Sequence, residues 1–249
     1  MLFIGYRKLS LPISYVVVDK SMRELMRFIK HPSGAYFCTN IAGNIILFIL
    51  LFIANMLIAS IFIYVAIWKI HVPEEILKNL ANNQALFRDR FNFLSMFIIG
   101  GLLFPILEEI VFRLWLSFKR QHIRLSACAL IVSYCLHIPN RLVIACLGIA
   151  FGCFGIFYTY KHKCQTFWDN SKIKHGNMVI YLSITVFTLM HILNYAPLFW
   201  QYSGYYMVLV FPVFIMAMLL SYIRLCMGFV YACMFHMLHN TLIFSYIAT

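Results

Sequence analysis

Long apolar runs separated by short polar segments dominate this chain and predict a bundle of membrane-spanning helices. A helix needs about 20 apolar residues to cross a hydrocarbon core ~30 Å thick. The runs that approach this length are 41–68, 93–118, 125–138, 142–160, 178–200, 205–223 and 227–247. The third run is short and ends at Pro139. The pattern therefore predicts an all-α, polytopic transmembrane helix bundle with about seven (six to eight) membrane segments.

Two shorter segments predict amphipathic helices outside these spans. Ser21 and Glu24 form a capping box, because each side chain can satisfy a free backbone amide of the other residue. The apolar and basic residues that follow are typical of a helix on the inner leaflet, or of one packed against the end of the bundle. The run Pro73-Glu74-Glu75 predicts the start of a second short helix in the connection 69–90.

The composition agrees with a membrane protein and argues against a soluble one. The chain is 63% hydrophobic and 11% charged, whereas a soluble domain is about one-quarter charged. The net charge of +12 lies in short loops, so we expect no nucleic-acid partner and a lipid bilayer as the environment. The eight cysteines are scattered and predict buried small hydrophobes rather than disulfides. No secretory signal peptide is expected.

The distribution of Lys and Arg predicts the orientation of the bundle. Basic and non-basic loops alternate along the chain, as the positive-inside rule requires for seven spans with a cytoplasmic N-terminus. This places 161–177 in the cytoplasm and 196–204 outside. We expect 1–40 to be a cytoplasmic or interfacial segment and 41–249 to be a single transmembrane domain.

Three of the apolar runs carry polar side chains that a bilayer disfavours. These side chains are Glu108, Glu109, Arg113, His191, His236 and Asn240. At 1.5 Å per residue, Glu108 and the two histidines lie roughly 15–20 Å from the predicted cytoplasmic ends of their spans. Ionisable residues within spans usually face the bundle interior and mark function. We therefore expect the three runs to converge on one buried site.

Spacing within each run suggests a division of roles. Glu109 and Arg113 are four residues apart and are expected to pair on one helix face. Glu108 points about 100° away and has no intrahelical partner, so it is the candidate general base. His236 and Asn240 are also four residues apart and face one cavity, where Asn240 could polarise a carbonyl or stabilise an oxyanion.

These motifs resemble those of a known family. Glu108-Glu109-x-x-x-Arg113, Phe187-x-x-x-His191 and His236-x-x-x-Asn240 resemble, in order and spacing, the motifs of the CAAX-protease and bacteriocin-processing (Abi) family of intramembrane proteases. The resemblance covers about residues 90–247. It implies a multi-helix bundle with a cavity open to the cytoplasm, in which Glu108 and His191 activate water. It also implies that His236 and Asn240 form an oxyanion site, supported by Glu109 and Arg113.

The resemblance leaves the cofactor open. Glu108, His191 and His236 are an acceptable three-ligand set for a divalent metal such as zinc, yet the same groups can activate water directly. The expected function is an intramembrane endopeptidase of a bacterial cell membrane that acts on a membrane-associated peptide or protein. The alternatives are a non-catalytic immunity or scaffold protein of the same fold, or a proton-coupled transporter. The transporter is disfavoured because no inverted repeat is visible.

Overall fold

The computed structural model describes residues 23–32, 41–136 and 142–247, and the regular structure in these ranges is entirely helical. The predicted capping residue Ser21 lies outside the described residues. We number the α-helices α1 (23–30), α2 (Ile41–Trp68), α3 (Glu74–Arg90), α4 (Phe93–Met96), α5 (Phe104–Phe112), α6 (Arg120–Leu136), α7 (Leu142–Lys161), α8 (Gln165–Met190), α9 (Ser203–Cys226) and α10 (Phe229–Ile247). A π-helix, Phe97–Leu103, joins α4 to α5. Short 3₁₀ helices occupy Leu114–Ser117, His191–Tyr195 and Trp200–Tyr202.

Within the described residues, four helical segments are long and apolar enough to cross a membrane. They are Gly43–Trp68, Phe93–Phe112, Gln165–Tyr195 and Trp200–Cys226. The apolar part of α7, Cys146–Lys161, is shorter. Helix α10 is continuous, but its apolar sequence is interrupted by His236, His239 and Asn240. The structure therefore shows an all-helical membrane protein with four candidate spans, while the count of seven stays a prediction.

The main core lies where α8, α9 and α10 meet, with α2 beside them. Its fully buried members include Ile184 and Phe187 of α8, Leu220 and Ile223 of α9, and Phe235 of α10. Helices α8 and α10 both pack on α9, which brings His191, just after α8, and His236 of α10 to the same part of the bundle.

Helix α1 packs against one end of this bundle. The Phe28 side chain is only 1% exposed, and its ring meets that of Tyr222 edge-on at 5.4 Å between centroids. The Tyr181 hydroxyl also donates to the Ile29 carbonyl. Of the two placements considered for this helix, packing on the bundle end is the one that the structure shows, while Met26 stays exposed.

The second span has a widened turn and close packing before its glutamates. Pro105 has no amide hydrogen to donate one turn back, and the chain forms the π-helix just before it. A methyl group built on Gly100 would lie 2.6 Å from the Phe244 ring, and one on Gly101 would lie 3.0 Å from the Thr241 hydroxyl. These glycines therefore let α10 approach the second span closely, as small residues do in membrane bundles.

Helix α5 ends at Phe112, so the prediction that this helix runs on to residue 118 is wrong. The Phe112 carbonyl accepts hydrogen bonds from Trp115 Nε1, at 2.6 Å, and from the Ser183 hydroxyl of α8. Side chains thus satisfy a carbonyl that the next helical turn would otherwise use. The chain can therefore leave the α-helix here and continue as a 3₁₀ turn.

The polar stretch predicted as a connection at 161–177 is mostly helix, because α8 begins at Gln165. The stretch contains no proline, and its Trp168 is buried and donates to the His162 carbonyl at 3.0 Å. The 26 residues of α8 span about 39 Å. This length exceeds the ~30 Å thickness of a hydrocarbon core. The polar first half of α8 can therefore extend beyond that core while the apolar half lies within it.

The connections gather at two opposite ends of the bundle. At the basic end, Gln165 donates to the Phe118 carbonyl at 3.3 Å and Arg120 donates to the Thr159 carbonyl at 3.0 Å. At the other end, Asn83 of α3 donates to the carbonyls of Asn194 and Ala196, at 3.0 and 2.8 Å. The connections that contact each other are ones that the charge pattern assigns to the same side, while the orientation in the membrane stays a prediction.

One further prediction is confirmed and one is mostly wrong. Helix α3 begins directly after Pro73, with Glu74 and Glu75 in its first turn and Arg88 and Arg90 in its last. The acids and bases thus match the helix dipole. The prediction that the cysteines are buried is wrong for most of those whose side chains the structure describes: Cys226 and Cys233 are buried, whereas Cys128, Cys146, Cys153 and Cys164 are exposed free thiols.

Candidate functional site

The two glutamates of α5 differ in burial although they are adjacent. Glu109 is completely buried, whereas the Glu108 side chain is 33% exposed. Helix α5 thus delivers one carboxylate into the protein interior and a second to a partly open surface. Only Glu108 is exposed enough to meet water or a substrate directly.

Glu109 forms the predicted ion pair with Arg113. Arg113 Nη1 donates to Glu109 Oε1 at 2.6 Å, and both side chains are at most 1% exposed. The Arg113 guanidinium also lies 4.1 Å from the centre of the Phe187 ring, which adds a cation–π contact. Arg113 is therefore fixed by a carboxylate on its own chain segment and by an aromatic ring of α8.

The imidazole of His236 lies between the two carboxylates. Its Nδ1 is 2.9 Å from Glu109 Oε1 and its Nε2 is 3.4 Å from Glu108 Oε2. Glu108 and Glu109 therefore both reach the same imidazole ring, although their side chains leave the helix about 100° apart. One glutamate approaches each ring nitrogen.

This arrangement assigns the proton on Nδ1 of His236. A carboxylate oxygen acts as an acceptor, and Glu109 Oε1 already accepts from Arg113 Nη1. Nδ1 therefore donates to Glu109, and Nε2 is the nitrogen directed at Glu108. Neither His236 Nε2 nor Glu108 Oε2 has a hydrogen-bond partner among the described residues.

His191 begins the 3₁₀ helix that follows α8, and its ring is also fixed from one side. Its Nδ1 is 2.9 Å from the Phe187 carbonyl. A carbonyl only accepts, so Nδ1 carries the hydrogen and Nε2 keeps its lone pair. The Phe187 ring lies between the two histidines, with centroids 4.5 Å from His191 and 5.8 Å from His236. His191 is within electrostatic range of Glu108 and His236.

Asn240 lies one turn after His236 on α10 and is half-buried. Among the described residues, no hydrogen bond joins its amide to the glutamates or histidines. Between them in sequence, His239 points elsewhere: its Nδ1 accepts from Asn55 Nδ2 of α2 at 3.2 Å, and both side chains are buried. The hydrogen bond of His239 therefore joins α10 to α2. Asn240 lies on the same face of α10 as His236, four residues earlier.

The residues considered as zinc ligands fit a metal in their chemistry but do not converge as a set. The Nδ1 hydrogens of both histidines are engaged by acceptors, as is usual for metal ligands. Within the described ranges, however, no three His, Cys, Asp or Glu side chains lie close enough together to hold a metal ion. We therefore derive no chemical step through a metal.

The structure brings Arg113, His191 and His236 around one aromatic ring, that of Phe187, and Glu108 and Glu109 join this group through His236. The contacts of Phe187 with Arg113 and both histidines were not predicted, although its place four residues before His191 was a usable signal. The contact between Glu109 and His236 was not predicted either. It could not be read from helical spacing, because it depends on how α10 rotates against α5.

Comparison of the chain with protein-family models, with curated proteins and with solved structures found no match.

Proposed function

We propose that this protein is an intramembrane endopeptidase that hydrolyses a peptide bond of a membrane-associated protein or peptide. The observation that supports the proposal most strongly is the placement of His236 between a buried and a half-exposed carboxylate. A buried acid that orients a histidine next to an open general base is an arrangement that hydrolysis uses. The resemblance to the CAAX-protease and bacteriocin-processing family points to the same chemistry.

The charges around His236 indicate where one proton lies. If Nε2 carried a lone pair, it would face the lone pairs of Glu108 Oε2 at 3.4 Å, which is repulsive. A proton on Nε2 removes this repulsion. The two carboxylates are then balanced by Arg113 and an imidazolium, so the cluster is neutral, as a membrane interior favours. Glu108 is left ionised and able to accept a proton.

The reaction follows from these positions. Glu108 takes one proton from a water molecule, and the other hydrogen stays on the oxygen and donates a hydrogen bond to the lone pair of His191 Nε2. The resulting hydroxide oxygen attacks the scissile carbonyl. The Nε2 hydrogen of His236 and the amide of Asn240 donate to the oxyanion that develops. Collapse of the tetrahedral intermediate breaks the C–N bond, and Glu108 returns its proton to the leaving nitrogen. Glu109 and Arg113 keep the His236 ring in place throughout.

Comparative analysis of membrane proteins tests the proposal. Cells that make the wild-type protein should contain new peptide termini that cells with Glu108→Gln lack. The purified protein should generate the same termini, and cleavage in H₂¹⁸O should place one labelled oxygen in each new carboxylate. If no terminus depends on Glu108, the protein is not a protease. Glu108-dependent proton flux in proteoliposomes would then favour the transporter, and its absence the scaffold.

A further inference from the structure

Two arginines at the basic end of α6 are held against a single residue of α7. Arg120 Nε donates to the Thr159 carbonyl and Arg124 Nε donates to the Thr159 hydroxyl oxygen, both at 3.0 Å. Thr159 is fully buried and its hydroxyl donates to the Ile156 carbonyl at 2.7 Å. The two guanidinium groups are thus fixed side by side over the last turn of α7.

Capping of α7 explains part of this arrangement, because arginines often bind the last carbonyls of a helix. The end of a helix carries only about half a negative charge, however, whereas the two guanidinium groups carry two full positive charges. Each arginine uses only its Nε for Thr159, and Arg124 Nη2 is buried without a hydrogen-bond partner among the described residues. Most of the positive charge and most of the donors therefore remain unmatched.

Protein carboxylates do not supply the missing charge in the part of the chain that the structure describes. The acidic residues at this end of the bundle are Glu24 and Asp169. Glu24 is paired with Arg27 at 4.0 Å, and Asp169 accepts from Gln165 at 3.1 Å. The two arginines form no ion pair within those ranges. Like charges that are held together in this way need an anion from outside the protein.

The surface beside the arginines is apolar and aromatic. The exposed side chains on α7 include Phe151, Phe154, Phe157 and Tyr160, and the Arg124 guanidinium lies 4.3 Å from the centre of the Tyr160 ring. The opposite face of α7 packs closely on α6, where a methyl group on Gly152 would lie 2.9 Å from the Ala127 carbonyl. The aromatic face therefore points away from the bundle, and its end next to the arginines has the composition of a membrane–water interface.

We propose that Arg120 and Arg124 bind the phosphate of an anionic phospholipid whose acyl chains lie along the aromatic face of α7. Guanidinium groups match phosphate oxygens with pairs of parallel hydrogen bonds. Basic sites between helices at the level of the headgroups are known to select anionic lipids. This site is separate from the cluster around His236, so it does not depend on the proposed protease function.

Lipid titration of the full-length, delipidated protein, followed by native mass spectrometry, tests the assignment. We expect phosphatidylglycerol to bind the wild type about 30-fold more tightly than phosphatidylcholine, since two arginines each contribute about fivefold. Arg120→Gln with Arg124→Gln should remove this preference. The matched control, Arg88→Gln with Arg90→Gln, removes the same charge from exposed positions at the other end and should keep it. Inorganic phosphate should not compete with the lipid.

Three results would overturn the assignment. The first is an unchanged preference in the double glutamine variant, and the second is an equal loss in the control pair, which would indicate a mere effect of net charge. The third is competition by inorganic phosphate at the same concentrations as the lipid, which would indicate a free-anion site.

If the double glutamine variant folds poorly, Arg120→Lys with Arg124→Lys keeps the charge but loses the paired donors. The preference should then fall about fivefold or more, and an unchanged value would refute the proposed contact.

Discussion

Replacing Glu109 by Gln perturbs one carboxylate oxygen that holds two other residues. Glu109 Oε1 accepts from Arg113 at 2.6 Å and from His236 at 2.9 Å, and all three side chains are buried. At this separation the gross attraction between Glu109 and Arg113 is about 6 kcal/mol for an effective dielectric constant of ~20. Much of that is offset by the desolvation of both groups. Removing only the carboxylate charge leaves a lone buried cation, which typically costs ~3–5 kcal/mol.

The same substitution should also impair the chemistry. Glu109 orients His236 through Nδ1, and replacing the carboxylate that orients the histidine of a Ser-His-Asp triad by an amide lowers kcat about 10⁴-fold, so we expect a clear loss of activity here. A second change, Arg113→Met in the Glu109→Gln background, removes the lone cation and keeps an apolar contact with Phe187. We therefore expect the double variant to regain stability without regaining activity. This separates the role of Glu109 in the ion pair from its role towards His236.

Thermal melting in detergent and cleavage of a substrate peptide by the folded fraction measure both effects. Glu108→Gln is the matched control, since Glu108 is partly exposed. It should melt near the wild type while cleavage falls by ~10²–10⁴. If the double variant is no more stable than Glu109→Gln, the buried ion pair does not account for the loss of stability. If Glu109→Gln cleaves normally per folded molecule, Glu109 does not orient His236.

Further changes test other parts of the structure. A membrane-impermeant maleimide should label the exposed thiol of Cys164 from the cytoplasm, and labelling only from outside would invert the predicted topology. Asn83→Ala removes two hydrogen bonds to the turn after α8, so cleavage should fall and unfolding should become easier by about 1 kcal/mol, whereas Asn82→Ala at the exposed neighbouring position should change neither. Gly152→Ala should destabilise by ~1–3 kcal/mol through overpacking, because its methyl group would lie 2.5 Å from a side chain of α6. Gly204→Ala, where nothing lies within 4 Å, should melt like the wild type. Cleavage should survive complete removal of metal by a chelator, and restoration of a lost activity by one equivalent of zinc would contradict direct activation of water.

Features set by local sequence could be predicted, because short-range physics decides them. In a membrane, the single apolar run 41–68 can satisfy its backbone hydrogen bonds only as a helix. In the structure this run forms helix α2. Pro73 followed by two glutamates fixes the start of α3 for equally local reasons. The pairing of Glu109 with Arg113 follows from their spacing on one helix. None of these needs information from a distant part of the chain.

Features set by distant contacts could not be predicted. The end of α5 depends on Ser183, which is 71 residues away in sequence and binds the Phe112 carbonyl. The contact of Phe28 with Tyr222 decides how α1 sits, although composition alone allowed a position on the lipid surface. The polar first half of α8 is helical, although its apolar face is too short to predict a helix from the sequence. In each case tertiary packing overrides what the local pattern indicates.

Burial, rather than direction on the helix, separates the roles of the two glutamates. Their 100° separation brings both to the same imidazole, so angle alone cannot make one a base and the other a support. Glu109 is fully buried and neutralised by Arg113, which leaves it no access to water and fixes its charge. Glu108 has one-third of its side chain exposed and no arginine of its own. We therefore propose that the pair works as one unit around His236, in which the enclosed acid orients the ring and the open acid exchanges a proton.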